Sequence, residues 1–373
     1  MIPSFWRWNR FCAQIVFCFL VMFSVISSAR VYRQLADQKK ELVMQSLRLS
    51  SGYNMPTVGL GSWQAKPEEI ESSVLAALAN GYRHIDTAFN YRNEDAIGRS
   101  LKKWLKEGGK REEIFITSKL PNYGNRPADV ERFAKISLES LGLEYLDMYL
   151  IHMPFAFVLN ETDLSPAVKE NGDFLLDTSS NPVAVWKEME KLVEKGLTKS
   201  IGLSNFNENQ IMEIMNNAKI KPSNLQVELH AYNQQRPLRE FCKLHNITIT
   251  AYSPLGSPGA KEHFKNKYNY NAEKFPDLLG HPVVKTIADK YKKSTAQILL
   301  RHMIQEGLIV IPKSSNPERI KANIDLFDFN LTDEELKQLD NLDRGTKGRI
   351  FSFLFFRGVE NHPYYPFKDE LEQ

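Results

Sequence analysis

The sequence predicts an α/β fold: one (β/α)8 TIM barrel with an N-terminal β-hairpin, carried behind an apolar leader. Two observations lead there. From Leu49 onward short β-branched runs alternate with longer amphipathic stretches, and no low-complexity or Pro/Gly-rich linker divides the 373 residues. Barrels of about 250 residues or more stay single domains, so the length needs no second one. An open doubly wound sheet is the alternative, but Gly59-Leu60-Gly61-Ser62-Trp63-Gln64 lacks the third glycine of a dinucleotide fingerprint.

Residues 1–45 form the leader and residues 46–373 the barrel. Residues 11–29 are apolar apart from Gln14, Ser24, Ser27 and Ser28, with Arg7 and Arg10 before them and Arg30 and Arg33 after. The densest part, Ile15 to Ile26, has the length of a signal-peptide apolar region and falls short of the ~20 residues that span a bilayer comfortably. Basic residues are more numerous after the segment than before it, which favours a cytosol-facing barrel held to a membrane by the leader. The alternative is a cleaved signal with a lumenal or secreted barrel. Sequons at Asn160, Asn246 and Asn330 matter only in that second case.

Within the barrel, a hairpin is predicted around Gly52-Tyr53-Asn54-Met55-Pro56, then a strand over residues 57–60. Further strands are predicted over 83–86, 114–119, 148–152, 199–203, 225–229, 247–252 and 308–311. Helices between them carry capping-box signatures at Asn207/Gln210, Ser294/Gln297 and Thr332/Glu335. Residues 154–182 and 253–282 are long irregular stretches that would lie over one face of the barrel, as binding loops do. The tail from Arg344, rich in Phe and Tyr, reads equally as a third wall or as a strap that stabilises the barrel.

Charge and cysteine content narrow the function. The net charge is +3, of which the leader carries +4 and the remainder −1, so the barrel has no electrostatic footprint for nucleic acid. Cys242 is the barrel's single cysteine, which precludes an internal disulfide and suits a reducing compartment. No metal site is expected.

Asp86, Tyr91, Lys119 and His152 fall at or just after the ends of three successive predicted strands. In a parallel barrel the carboxyl ends of the strands share one face. Singly, each residue reads as a helix cap, a packed ring, a solvated cation or a core histidine. Together they supply carbonyl reduction: a phenol to give a proton, an ammonium to lower its pKa, a carboxylate to hold the ammonium, and an imidazole to bind the substrate oxygen.

The residues Gly81-Tyr82-Arg83-His84-Ile85-Asp86-Thr87-Ala88 with Tyr91, and Leu143-Glu144-Tyr145-Leu146-Asp147-Met148-Tyr149-Leu150-Ile151-His152-Met153-Pro154, resemble two signatures of the aldo-keto reductases. Ile311-Pro312-Lys313-Ser314-Ser315-Asn316-Pro317-Glu318-Arg319-Ile320 resembles the third. The resemblance implies an NADP-dependent oxidoreductase that reduces aldehydes and ketones with NADPH, Tyr91 being the proton donor. It implies a monomeric barrel with Ser204, Asn205, Gln226, Tyr252, Ser253, Leu255, Ser257, Lys313, Ser314, Arg319 and Asn323 on the cofactor. Trp63, Tyr91, His152, Met153 and Phe157, with Phe89, would line the substrate pocket. Pro121, Met153 and Ala322 depart from the family pattern and predict a less aromatic pocket and one adenine contact fewer. A rival reading is an NADP(H)-binding regulatory module on a membrane protein, as in the related potassium-channel β-subunits.

Overall fold

The structure is a computed structural model that describes residues 45–268 and 275–371. The leader, with its apolar segment at 11–29, lies outside the described residues apart from Gln45. Among the described residues no helix is long and apolar enough to cross a membrane.

The expected hairpin is present: β1 (Ser46–Arg48) pairs antiparallel with β2 (Asn54–Pro56). Leu47, Leu49 and Met55 pack on Phe115, Met148, Leu150 and Ile309, mostly residues that open barrel strands. The hairpin therefore plugs the amino end of the barrel and leaves the opposite mouth for chemistry.

Four barrel strands follow, β3 (Leu60–Gly61), β4 (His84–Asp86), β5 (Phe115–Leu120) and β6 (Met148–Ile151). A surface hairpin, β7 (Leu159–Asn160) with β8 (Ser165–Pro166), then intervenes. The barrel resumes with β9 (Ile201–Ser204), β10 (Asn224–Glu228), β11 (Thr248–Tyr252) and β12 (Ile309–Val310). Each barrel strand pairs in parallel with the next. The ends meet where Val58 bridges Val310, whose amide donates to Thr57 O at 2.8 Å. Gly59 allows the first strand to close on the core, since a Cβ there would lie 2.4 Å from His84 Nδ1.

The helices are α1 (Pro67–Ala79), α2 (Glu94–Lys106), α3 (Pro127–Leu141), α4 (Pro182–Glu194), α5 (Glu208–Asn217), α6 (Arg236–Leu244), α7 (Lys261–Tyr268), α8 (Pro282–Tyr291), α9 (Thr295–Gln305), α10 (Pro317–Ile324) and α11 (Asp333–Asp340). All three predicted capping boxes form, on α5, α9 and α11, and each cap stabilises its helix by about 1 kcal/mol. Among the described residues, five helices open on proline at their first position, where the missing N–H costs nothing.

Neither long loop is irregular throughout. The stretch after β6 holds β7 and β8 and the bridges Phe157–Leu176 and Val168–Phe174, and the stretch after β11 holds α7. The tail is both strap and wall. Arg349 forms a two-armed pair with Glu370 at 2.9 and 2.7 Å, and Tyr365 donates to Ser352 O at 2.7 Å. Gly348 passes so near the backbone of Tyr232 that an added Cβ would lie 1.8 Å from its carbonyl oxygen.

His84 gives the fold an acid sensitivity. It is fully buried, and burial pushes its pKa down to about 4 against the charge of Asp86 and the Pro56 carbonyl. The unfolded chain takes up this proton below about pH 6.5 and the fold resists it to about pH 4, so stability falls across that window as pH drops, by about 3 kcal/mol. Urea midpoints from pH 7 to 4 should fall less steeply in His84→Gln than in the parent. Equal slopes would refute this account.

Candidate active site

Asp86 ends β4, Lys119 is the penultimate residue of β5, and His152 directly follows β6. Tyr91 ends the 3-10 turn Phe89–Tyr91 that follows β4, and Arg92 breaks that turn at φ 56°. Arg92 also donates to Leu164 O in the turn between β7 and β8, so the surface hairpin is tied to the residue beside Tyr91.

The four residues converge. Lys119 Nζ donates to Asp86 Oδ1 at 2.6 Å and to Thr87 O at 2.8 Å, and both members of the ion pair are buried. The same ammonium lies 5.1 Å from the centre of the Tyr91 ring, and the rings of Tyr91 and His152 meet edge to face at 5.7 Å. Asp86 Oδ2 accepts from Gln226 Nε2 at 2.7 Å, which joins β10 to the cluster.

Burial pushes Tyr91 well above the ordinary phenol value, and Asp86 and Tyr252 add to the rise. The net direction is opposite to the sequence-based expectation of a lowered phenol pKa, because burial dominates. The phenol therefore keeps its proton and is an acid, not a phenolate, at neutral pH. His152 is held well below the ordinary imidazole value by burial and then by Lys119, so it is neutral. Its Nδ1 is buried without a partner. Burial pulls Lys119 down as well, against the charge and hydrogen bond of Asp86.

Of the residues predicted for the cofactor, Ser204 and Tyr252 end β9 and β11, and Asn205 follows Ser204. Tyr252 Oη donates to Asn205 Oδ1 at 2.8 Å, and Asn205 Nδ2 reaches His152 O at 2.9 Å, Ser204 Oγ at 3.0 Å and Met153 Sδ at 3.3 Å. Asn205 takes φ 66°, a left-handed conformation that asparagine tolerates. Ser253 and Ser257, also left-handed, share a 2.7 Å hydroxyl contact on the loop that carries Leu255.

Lys313, Ser314 and Arg319 surround the start of α10, where Asn316 caps the Arg319 amide at 3.0 Å and Pro317 takes the first position, as predicted. Partial desolvation holds Lys313 below its ordinary value, and Arg319's charge adds to this against the pull of Glu69. Asn323 is buried within the same helix. Two mutually repelling cations at a helix start make a receptive site for an anion. A nicotinamide dinucleotide with a 2′-phosphate fits these residues: an aromatic face and amides at the strand ends, cations at α10.

Of the predicted substrate residues, Tyr91, His152 and Met153 lie together at the mouth. Trp63 has ring contacts with His263, Phe264 and Phe351. Phe157 packs on Phe155, Phe174 and Phe356, and Phe89 on Tyr123 and Phe133. Residues around Trp63 are more aromatic than sequence reasoning foresaw, since Phe264 and Phe351 arrive from α7 and the tail. Asn93 was also missed: fully buried, it donates to Ser62 O at 2.9 Å and Ala65 O at 3.2 Å and so fixes the turn that carries Trp63.

A family model described as the aldo/keto reductase family matches residues 55–344. The chain belongs to the aldo/keto reductase family. Reduction of carbonyl compounds with NADPH goes with that membership. Relatives include aldo-keto reductase family 1 member A1 of Mus musculus, 41% identical over 335 residues, covering 88% of this chain and 99% of the relative. The A1-A protein of Danio rerio is 43% identical, covering 86% and 98%. Among solved structures, an aldose reductase from Schistosoma japonicum superposes with a TM-score of 0.78 at 42% identity, covering 87% of this chain and 99% of that one.

Proposed function

We propose that this chain reduces aldehydes and ketones to alcohols with NADPH, and that Asp86, Tyr91, Lys119 and His152 carry the chemistry. The observation that carries the assignment is the buried 2.6 Å Lys119–Asp86 pair beneath a protonated Tyr91 and a neutral His152. NADPH, when bound, supplies the hydride for the carbonyl carbon. Tyr91 gives its proton to the carbonyl oxygen as charge gathers there; an alkoxide is far more basic than a phenolate, so even a raised phenol pKa leaves the transfer downhill. His152 donates an N–H to the same oxygen and holds it within reach of the phenol. Lys119 then offsets the charge left on Tyr91, and Asp86 keeps the ammonium in place.

In this reading Tyr252 would hold the nicotinamide ring and Ser204, Asn205 and Gln226 its carboxamide, exchanging some of the hydrogen bonds they make now. Ser253, Leu255, Ser257 and Asn323 flank the rest of the cofactor, and Lys313, Ser314 and Arg319 take its 2′-phosphate. Replacing Lys313 and Arg319 together by alanine should weaken NADPH by about a hundredfold and NADH by less than about threefold, from the loss of two charge-assisted hydrogen bonds. Titration of both nucleotides by tryptophan quenching checks this, and equal losses would remove the 2′-phosphate assignment. The reductase reading itself is tested by NADPH oxidation over a panel of aldehydes. Tight NADPH binding with no turnover on any of them would sink it.

The barrel at residues 46–373 is proposed to face the cytosol, with residues 11–29 as a membrane tether. Support comes from the four basic residues after the segment, Arg30, Arg33, Lys39 and Lys40, against Arg7 and Arg10 before it, and from the single cysteine in the barrel. A glycosidase-sensitive mass shift of the full chain in cells would overturn that placement.

A further inference from the structure

Glu228 is a buried charge that the proposed mechanism does not use. It ends β10 two residues after Gln226, on the same side of the strand, and is 1% exposed. One carboxylate oxygen lies 2.9 Å from His230 Nε2 and accepts from the Ile350 amide at 2.7 Å, and the other accepts from the Phe351 amide at 2.8 Å. A carboxylate stripped of water persists where donors replace the water. Here two consecutive amides of the C-terminal tail do so, far away in sequence.

The fastening sets one ring. Phe351 meets Trp63 at 5.7 Å and 84°, Tyr252 at 5.8 Å and Phe264 at 5.4 Å. Glu228 and Tyr252 are partners in the register of β10 and β11, so the anchor stands beside the ring that Phe351 touches. Burial opposes the charge on Glu228, but His230, Arg349 and the Ile350 amide outweigh it and hold the carboxyl below its ordinary range.

We infer that Glu228 is a positioning residue that pins the backbone at Ile350 and Phe351, so that Phe351 completes an aromatic wall with Trp63 and Tyr252 and selects carbonyl substrates with a flat apolar body. The selectivity half rests on the reductase reading above; the fastening half does not.

Two measurements on the full chain separate them. In Glu228→Gln, hydrogen exchange at the Ile350 and Phe351 amides should accelerate roughly tenfold or more while the β10 and β11 amides keep their protection. In steady-state assays the same variant should raise KM for 2-naphthaldehyde roughly tenfold and change KM and kcat for propanal by less than about twofold, a split that general destabilisation does not produce. Phe351→Ala, which keeps the fastening, should reproduce the naphthaldehyde KM rise with both amides still protected. Unchanged exchange in Glu228→Gln overturns the fastening. Equal KM changes for both aldehydes, or an unchanged naphthaldehyde KM in Phe351→Ala, overturn the selectivity. If the parent protein oxidises NADPH with neither aldehyde, the reductase reading and the selectivity fall together, and exchange alone decides the fastening.

Discussion

Tyr91→Phe is expected to lower kcat for aldehyde reduction by about a thousandfold while leaving the NADPH dissociation constant within about twofold, in line with the loss of a positioned general acid. The substitution removes one oxygen from a ring held against His152 at 5.7 Å and beside Lys119 at 5.1 Å, so the packing survives and the proton does not. NADPH oxidation at saturating aldehyde and nucleotide quenching measure the two quantities separately. Retention of more than about a tenth of the parent rate would assign the proton to another group, because general acid contributions run from about a hundredfold upward.

Lys119→Met should act on both stability and activity. The Lys119–Asp86 pair is buried on both sides, and removing one partner of such a pair costs about 3 to 5 kcal/mol because the other charge stays behind. Gln226 alone would then remain among the described side-chain donors to Asp86. Thermal melting should show the loss, and turnover should fall at least about a hundredfold, since nothing offsets the charge on Tyr91 after transfer. The double variant Lys119→Met with Asp86→Asn discriminates between the two effects. It should recover much of the stability, by removing the stranded charge, and none of the activity. Recovery of turnover in the double variant would reduce the pair to a structural element.

The barrel was legible because its signals are local and repeated. Each strand is a short apolar run, three helix starts carry a capping box, and the residues of the tetrad sit at or just after the point where a run stops. The hairpin and the α10 cap at Asn316 were legible for the same reason. What stayed hidden depends on distant chain segments. Glu228 reads in sequence as an ordinary polar residue closing a strand, and only the tail's amides, more than a hundred positions later, give it a purpose. Phe264 likewise looks like an unallocated aromatic until α7 is folded over Trp63, and reading the tail as a wall does not say that Phe351 is the ring that meets it. The direction of the Tyr91 pKa was missed because the nearby ammonium is legible from strand ends, while the burial that outweighs it comes only with the fold.

Gly348 has a consequence for how this protein could diversify. Its backbone lies too near Tyr232 to carry any side chain, which makes it a fixed threading point for the tail. The molecule is thereby divided: the tetrad and the α10 nucleotide residues belong to strands and helices that precede this point, whereas Phe351, which meets Trp63 and Tyr252, follows it. New substrate ranges are then expected from substitutions in the tail that keep its buried anchors Val359, His362 and Tyr365, with the catalytic groups unchanged.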